Sequence, residues 1–152
     1  MANIGNANVI WGAHDLFITI LDEHNDTALW HQGQNKAVSG KLHFVPDWVN
    51  NKLYYLSLSE EQNAIYVTDL NSLLEAELAR AKPGAIITCF ALSPNNQRLM
   101  YIEGLKPTYD PNEEVDESVY IIDLATDTKQ EIVNVSKETR MRHEQAVWIR
   151  DD

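Results

Sequence analysis

The sequence predicts an all-β fold, and three observations predict it. Short apolar runs are separated by Asn, Asp, Gly and Pro, the pattern of strands and tight turns. Eleven such runs recur at roughly ten-residue spacing. The chain also matches itself: Ile65-Tyr66-Val67-Thr68-Asp69-Leu70 resembles Val119-Tyr120-Ile121-Ile122-Asp123-Leu124, and Leu16-Phe17-Ile18-Thr19-Ile20-Leu21 is a weaker third copy. Phe17, Tyr66 and Tyr120 lie about fifty residues apart, within the range of propeller blades. The expected architecture is therefore β-propeller blades, about three four-stranded antiparallel sheets.

In chain order, the expected strands are Val9–Trp11, Leu16–Leu21, Ala28–His31, Leu42–Val45, Lys52–Ser57 and Ala64–Asp69. Ile86–Leu92, Arg98–Ile102, Ser118–Asp123, Lys129–Val133 and Ala146–Ile149 follow. One segment is ambiguous. Ser72-Leu73-Leu74-Glu75 fits a capping box, and 73–82 is rich in Ala, Leu and Glu before the stop at Pro83-Gly84. Either a short helix or an outer strand over Glu75–Ala79 satisfies it.

A second repeated element precedes each copy of the first. Asp47-Trp48-Val49-Asn50-Asn51-Lys52-Leu53-Tyr54-Tyr55 parallels Leu92-Ser93-Pro94-Asn95-Asn96-Gln97-Arg98-Leu99-Met100-Tyr101, each reading as strand, tight turn, strand. Asn tolerates the left-handed backbone that two-residue hairpin turns demand, which places Asn50-Asn51 and Asn95-Asn96 in such turns. Ser93-Pro94-Asn95-Asn96-Gln97-Arg98-Leu99 resembles the strand-turn-strand of TolB-like (WD40-like) propeller repeats, usually Trp-Ser-Pro-Asp-Gly-Lys and an apolar strand. The Tyr-x-x-Asp-Leu pieces at Tyr66–Leu70 and Tyr120–Leu124 resemble the next strand of such repeats. The departures are Asn-Asn for Asp-Gly, twice, and Trp48-Val49 in place of Ser-Pro.

The repeat divides the chain into blades of about residues 8–43, 44–88 and 89–145, with the first strand of a further blade at 146–152. Ala146-Val147-Trp148-Ile149-Arg150 resembles an innermost strand without its blade, and Asn8-Val9-Ile10-Trp11 a second strand without its innermost one. The closure strands are thus Val9, Ile10 and Trp11 with Val147, Trp148 and Ile149. Three blades are too few for a closed ring. Two arrangements satisfy the complementary segments: a piece of a longer propeller, or a homodimer closing a six-bladed ring by strand exchange.

Composition narrows the partners. The net charge of −11 repels phosphate backbones and anionic lipid surfaces, so no direct nucleic-acid contact is expected of this segment. Neither a membrane-spanning run nor a secretory signal is evident, so no membrane insertion by this segment is expected. Basic proteins, peptides or divalent cations suit the surface better. The single cysteine, Cys89, lies in an apolar run and reads as a core residue.

Residues capable of chemistry are few. Asp110, Glu113, Glu114, Asp116 and Glu117 put five carboxylates into eight residues. That spacing fits a solvated flap or a docking loop for a basic partner; it matches no EF-hand, although oxygen ligands suit calcium. Asp22, His24 and Asp26 cluster near His31, but zinc needs three or four convergent ligands. No Gly-x-Ser-x-Gly elbow and no phosphate-cradling Gly-rich loop is present. Trp11, Trp48 and Trp148 fall on first or second strands, where packing between blades is the expected role.

The expectation is a non-catalytic binding or sensory module for a protein partner or ligand, with no catalytic residue, metal or cofactor assigned. The TolB-like resemblance implies a periplasmic setting: TolB itself, or the exported sensor of a membrane-anchored winged-helix transcription regulator. A free-standing chain would be cytoplasmic. The alternative is the accessory propeller of a peptidase or hydrolase whose catalytic domain lies outside this chain.

Overall fold

The computed structural model describes residues 16–21, 26–31, 34–37, 41–57, 63–105 and 117–135. All regular structure among them is β. Strands β1 (Leu16–Leu21), β2 (Asp26–His31) and β3 (Gln34–Ala37) form a three-stranded antiparallel sheet in chain order. Its centre pairs Phe17 with Trp30, and Trp30 with Asn35. β3 carries Gln, Asn and Lys and has no apolar run, so the hydrophobic pattern did not predict it.

Two four-stranded sheets follow, each a meander in chain order. The first comprises β4 (Lys41–Asp47), β5 (Lys52–Ser57), β6 (Ala64–Asp69) and β7 (Glu75–Arg80). The second comprises β8 (Ala85–Leu92), β9 (Arg98–Leu105), β10 (Glu117–Asp123) and β11 (Thr128–Val135). These are the expected blades: all-β, antiparallel and four-stranded. The expected strands at Val9–Trp11 and Ala146–Ile149 lie outside the described residues.

By contact density the chain divides into two compact units, Met1–Leu78 and Ala79–Asp152. In the first, Leu53, Tyr55, Ala64, Tyr66 and Leu70 form a buried cluster, with Phe44, Trp48 and Leu73 packed against it. In the second, Ile87, Cys89, Phe90, Leu99, Tyr101, Ile102, Tyr120 and Ile122 are buried. Cys89 is a core residue, as its apolar run suggested. Each fully buried Leu, such as Leu53 or Leu99, contributes about 1.5–3 kcal/mol by leaving water.

The ambiguous segment is a strand, β7, preceded by a single helical turn. Asp69 starts that turn: its Oδ1 accepts the N–H groups of Asn71 and Ser72, and its carbonyl accepts that of Leu73. Leu73 then turns left-handed, at φ 54°, and the turn cannot propagate. The capping signal was real but belongs to Asp69, three residues before Ser72. A left-handed Leu costs about 1–2 kcal/mol. Its packing against the buried cluster offsets that cost.

Candidate functional site

The same turn chemistry sets one end of each four-stranded blade. Asp47, Asp69 and Asp123 each end a strand, and each accepts two backbone N–H groups two and three residues on. Four residues past each Asp the backbone is left-handed, at Asn51, Leu73 and Asp127. At the β8–β9 turn, Ser93 and Asn95 replace the Asp. Ser93 Oγ accepts the Arg98 N–H, Asn95 Oδ1 accepts that of Gln97, and Asn96 is left-handed. The Asn-Asn pairs do lie in turns, but the turns are four residues long, 48–51 and 94–97, rather than the expected two, and only the second Asn of each is left-handed.

The Asp-Leu of each Tyr-x-x-Asp-Leu piece has a further role. Leu70 N–H donates to the Asn51 carbonyl at 2.8 Å, and Leu124 N–H to the Gln97 carbonyl at 2.9 Å. Each bond stitches the turn between strands three and four to the turn between strands one and two. Hydrogen bonds to Ser72 and Thr126 hold the carboxyls of Asp69 and Asp123 below the usual carboxylate range.

Inside each blade the second and third strands carry a stacked tyrosine pair in direct register. Tyr55 faces Tyr66 with ring centroids 6.1 Å apart, and Tyr101 faces Tyr120 at 5.0 Å. In the first blade the Tyr55 hydroxyl bonds Thr68 Oγ1 at 2.7 Å and donates to the Glu75 carboxylate. Burial and the Glu75 contact push its pKa well up, so it stays a donor.

Aligning the blades on their tyrosines puts Ile122 where the first has Thr68. Aligning on the left-handed residues, Leu73 and Asp127, puts Lys129 where the first has Glu75. Both partners of the hydroxyl are thereby removed. Tyr101 is fully buried and its hydroxyl has no hydrogen-bond partner among the described residues. Leaving such a group unsatisfied costs about 1–3 kcal/mol, comparable to what burying the ring contributes. Burial first, then Glu103 and Tyr120, raise its pKa well above the tyrosine range, so this hydroxyl also remains protonated.

Two lysines crowd this spot. Lys129 Nζ lies 4.2 Å from the Tyr120 ring centroid and 5.1 Å from that of Tyr101, within cation–π reach. Its side chain is exposed, but desolvation of the ammonium against the rings holds its pKa below the usual lysine range. Lys82 Nζ donates to the Tyr120 hydroxyl at 2.5 Å and lies 3.7 Å from Glu103. The Tyr120 contact raises the Lys82 pKa. Glu103 is buried and also accepts the Lys82 backbone N–H at 3.2 Å. Glu131 accepts a hydrogen bond from Ser118. At the tyrosine pair the arrangement offers two donors: a protonated hydroxyl and an ammonium over the ring faces.

Most of the residues singled out in the sequence lie outside the described residues. That holds for the closure strands Val9, Ile10, Trp11, Val147, Trp148 and Ile149, and for Asp110, Glu113, Glu114 and Asp116. Glu117 is described: it opens β10 opposite Gly104 and is buried, so it belongs to the sheet. Of the candidate zinc ligands, Asp26 opens β2 and His31 closes it; Asp22 and His24 lie outside the described residues. Among the described residues, no group of three or more His, Cys, Asp or Glu is placed to hold a metal. Nor is any helix among them long and apolar enough to cross a membrane. The tyrosine–lysine site was missed; extending the alignment of 65–70 with 119–124 by five residues would have set Glu75 opposite Lys129.

With that geometry in hand, the chain is comparable to known proteins by shape and not by sequence. No protein family matches it, and none of the curated proteins is similar to it. Solved structures are similar in fold. Acylaminoacyl peptidase from Pyrococcus horikoshii has a TM-score of 0.61 and 13% identity, over 90% of this chain and 26% of that one. Oligogalacturonate lyase from Vibrio parahaemolyticus has a TM-score of 0.57 and 16% identity, over 78% of this chain and 36% of that one. TolB from Acinetobacter baumannii has a TM-score of 0.51 and 18% identity, over 74% of this chain and 28% of that one. The shared structure is the β-propeller. This chain spans between 26% and 36% of the length of these structures.

Proposed function

We propose that the chain is the propeller part of a non-catalytic binding module, of TolB-like type, that engages a protein partner or ligand. The observation that carries this is the relation between the two four-stranded blades. Stitches and tyrosine pair coincide, while the polar groups around the pair differ in charge and leave one buried donor, the Tyr101 hydroxyl, without a partner among the described residues. A scaffold repeated with a changed set of donors suits recognition. The fold neighbours are a peptidase, a lyase and TolB, so the fold fixes no reaction.

The finer reading is the exported, periplasmic sensor of a membrane-anchored winged-helix transcription regulator. A net charge of −11 suits a part that stays off DNA. The reading frame around these residues tests it. A winged helix and one membrane span upstream support it; an α/β-hydrolase domain downstream overturns it in favour of an accessory propeller. Pairing into a six-bladed homodimer remains part of the proposal, and light scattering that returns a strict monomer at micromolar concentration removes it.

A further inference from the structure

We propose that the second blade holds a binding site for a single carboxylate group, formed by the Tyr101 hydroxyl and the Lys129 ammonium. The first blade shows what such a site looks like when occupied. There Glu75, an exposed residue of the outer strand, reaches in to accept the buried Tyr55 hydroxyl. The second blade keeps the tyrosine and its stacked partner but has Lys129 where that carboxylate stood. Two needs are left at one tyrosine pair. Among the described residues, the buried Tyr101 hydroxyl has no acceptor, and the Lys129 ammonium lies over the two rings without an ion-paired carboxylate. A carboxylate entering from the outer-strand side would answer both, as Glu75 does within the first blade.

The surrounding charges leave room for it. Glu103 is engaged with Lys82 through both its oxygens, and Glu131 accepts from Ser118. Lys82 is itself bonded to the Tyr120 hydroxyl. Lys129 lies over the ring faces and feels Glu103 and Glu131 electrostatically, but no carboxylate among the described residues makes an ion pair with it. Its exposed side chain must swing outward to admit the ligand. The proposal rests on the binding-module reading, but its test does not depend on the reading frame.

The experiment uses the full chain in sodium acetate against sodium chloride at equal ionic strength, near pH 7. Melting temperature and the ¹³C–¹H signals of Lys129 and Tyr101 are followed. Acetate is expected to raise the melting temperature and to move both signals saturably. Tyr101→Phe, which removes only the hydroxyl, is expected to weaken binding about tenfold, one charge-assisted hydrogen bond's worth. Lys129→Glu supplies the carboxylate internally; it should melt no lower than the wild type and no longer respond to acetate. An end-blocked Gly-Glu-Gly peptide run beside acetate separates the sources: tighter binding of the peptide points to a protein carboxylate, equal binding to a free small acid. An equal acetate response in wild type and both variants would mean an adventitious ion only. That outcome, or an unresponsive wild type, overturns the site.

Discussion

Tyr55 and Tyr101 occupy the same place in successive blades: second strand, in register with a stacked tyrosine of the third strand, buried among apolar neighbours. Among the described residues, one hydroxyl bonds Thr68 and Glu75 and the other has no partner. The stitches and the left-handed turn residues coincide and do not explain the difference. Two side chains do, Thr68 against Ile122 and Glu75 against Lys129. A blade therefore separates two tasks. Its frame depends on the tyrosine rings, the buried leucines and the turn acids. Its chemistry is set by what the third and outer strands place around the hydroxyl.

The sharpest way to break the comparison is to strike the shared frame. Leu53→Ala and Leu99→Ala remove equivalent, fully buried side chains, and each is expected to cost about 2–5 kcal/mol. Urea denaturation measures both; a large cost in one blade and none in the other would show that the frames are not equivalent. Asp47 is next. It is 1% exposed and accepts two N–H groups and the Asn50 side chain. Asp47→Ala should cost about 1.5–3 kcal/mol, more than Asp69→Ala or Asp123→Ala at the exposed turns.

The tyrosine hydroxyls sharpen the comparison further. Tyr55→Phe strands Thr68 and should cost about 1–2 kcal/mol, whereas Tyr101→Phe should be neutral or stabilising. Equal costs in thermal melts would contradict the contrast. The smallest effect is the pH response of the turn acids. Asp69 and Asp123 have folded pKa values below the unfolded value of about 3.9. Their contribution is complete above that value and is lost as pH falls through the lower, folded pKa. Replacing both by Asn should flatten the acid limb of the stability curve below about pH 4 and leave neutral pH nearly unchanged.

Most strands were legible because their residues alternate or run apolar between turn formers. Lys52–Ser57 and Ala64–Asp69 coincide with the expected bounds. β3 was not legible, since Gln34-Asn35-Lys36-Ala37 pairs through its backbone without an apolar signal. β7 was half legible. Its Ala, Leu and Glu favour a helix by propensity, but a left-handed Leu73 ends the single turn, and Glu75 serves the Tyr55 hydroxyl. The tyrosine–lysine site was present in the repeat but hidden. Comparing two copies reveals what they share, and the site lies where they differ.

The stitch from Leu70 to Asn51, and its twin from Leu124 to Gln97, closes within a single blade. Each four-stranded blade thus brings its own means of tying both turns at that end together. A unit of that kind can be copied in tandem without redesign, and each copy is then free to drift at its outer strand. A gene lengthened by whole blades would keep every turn in place while trying new donors, one blade at a time.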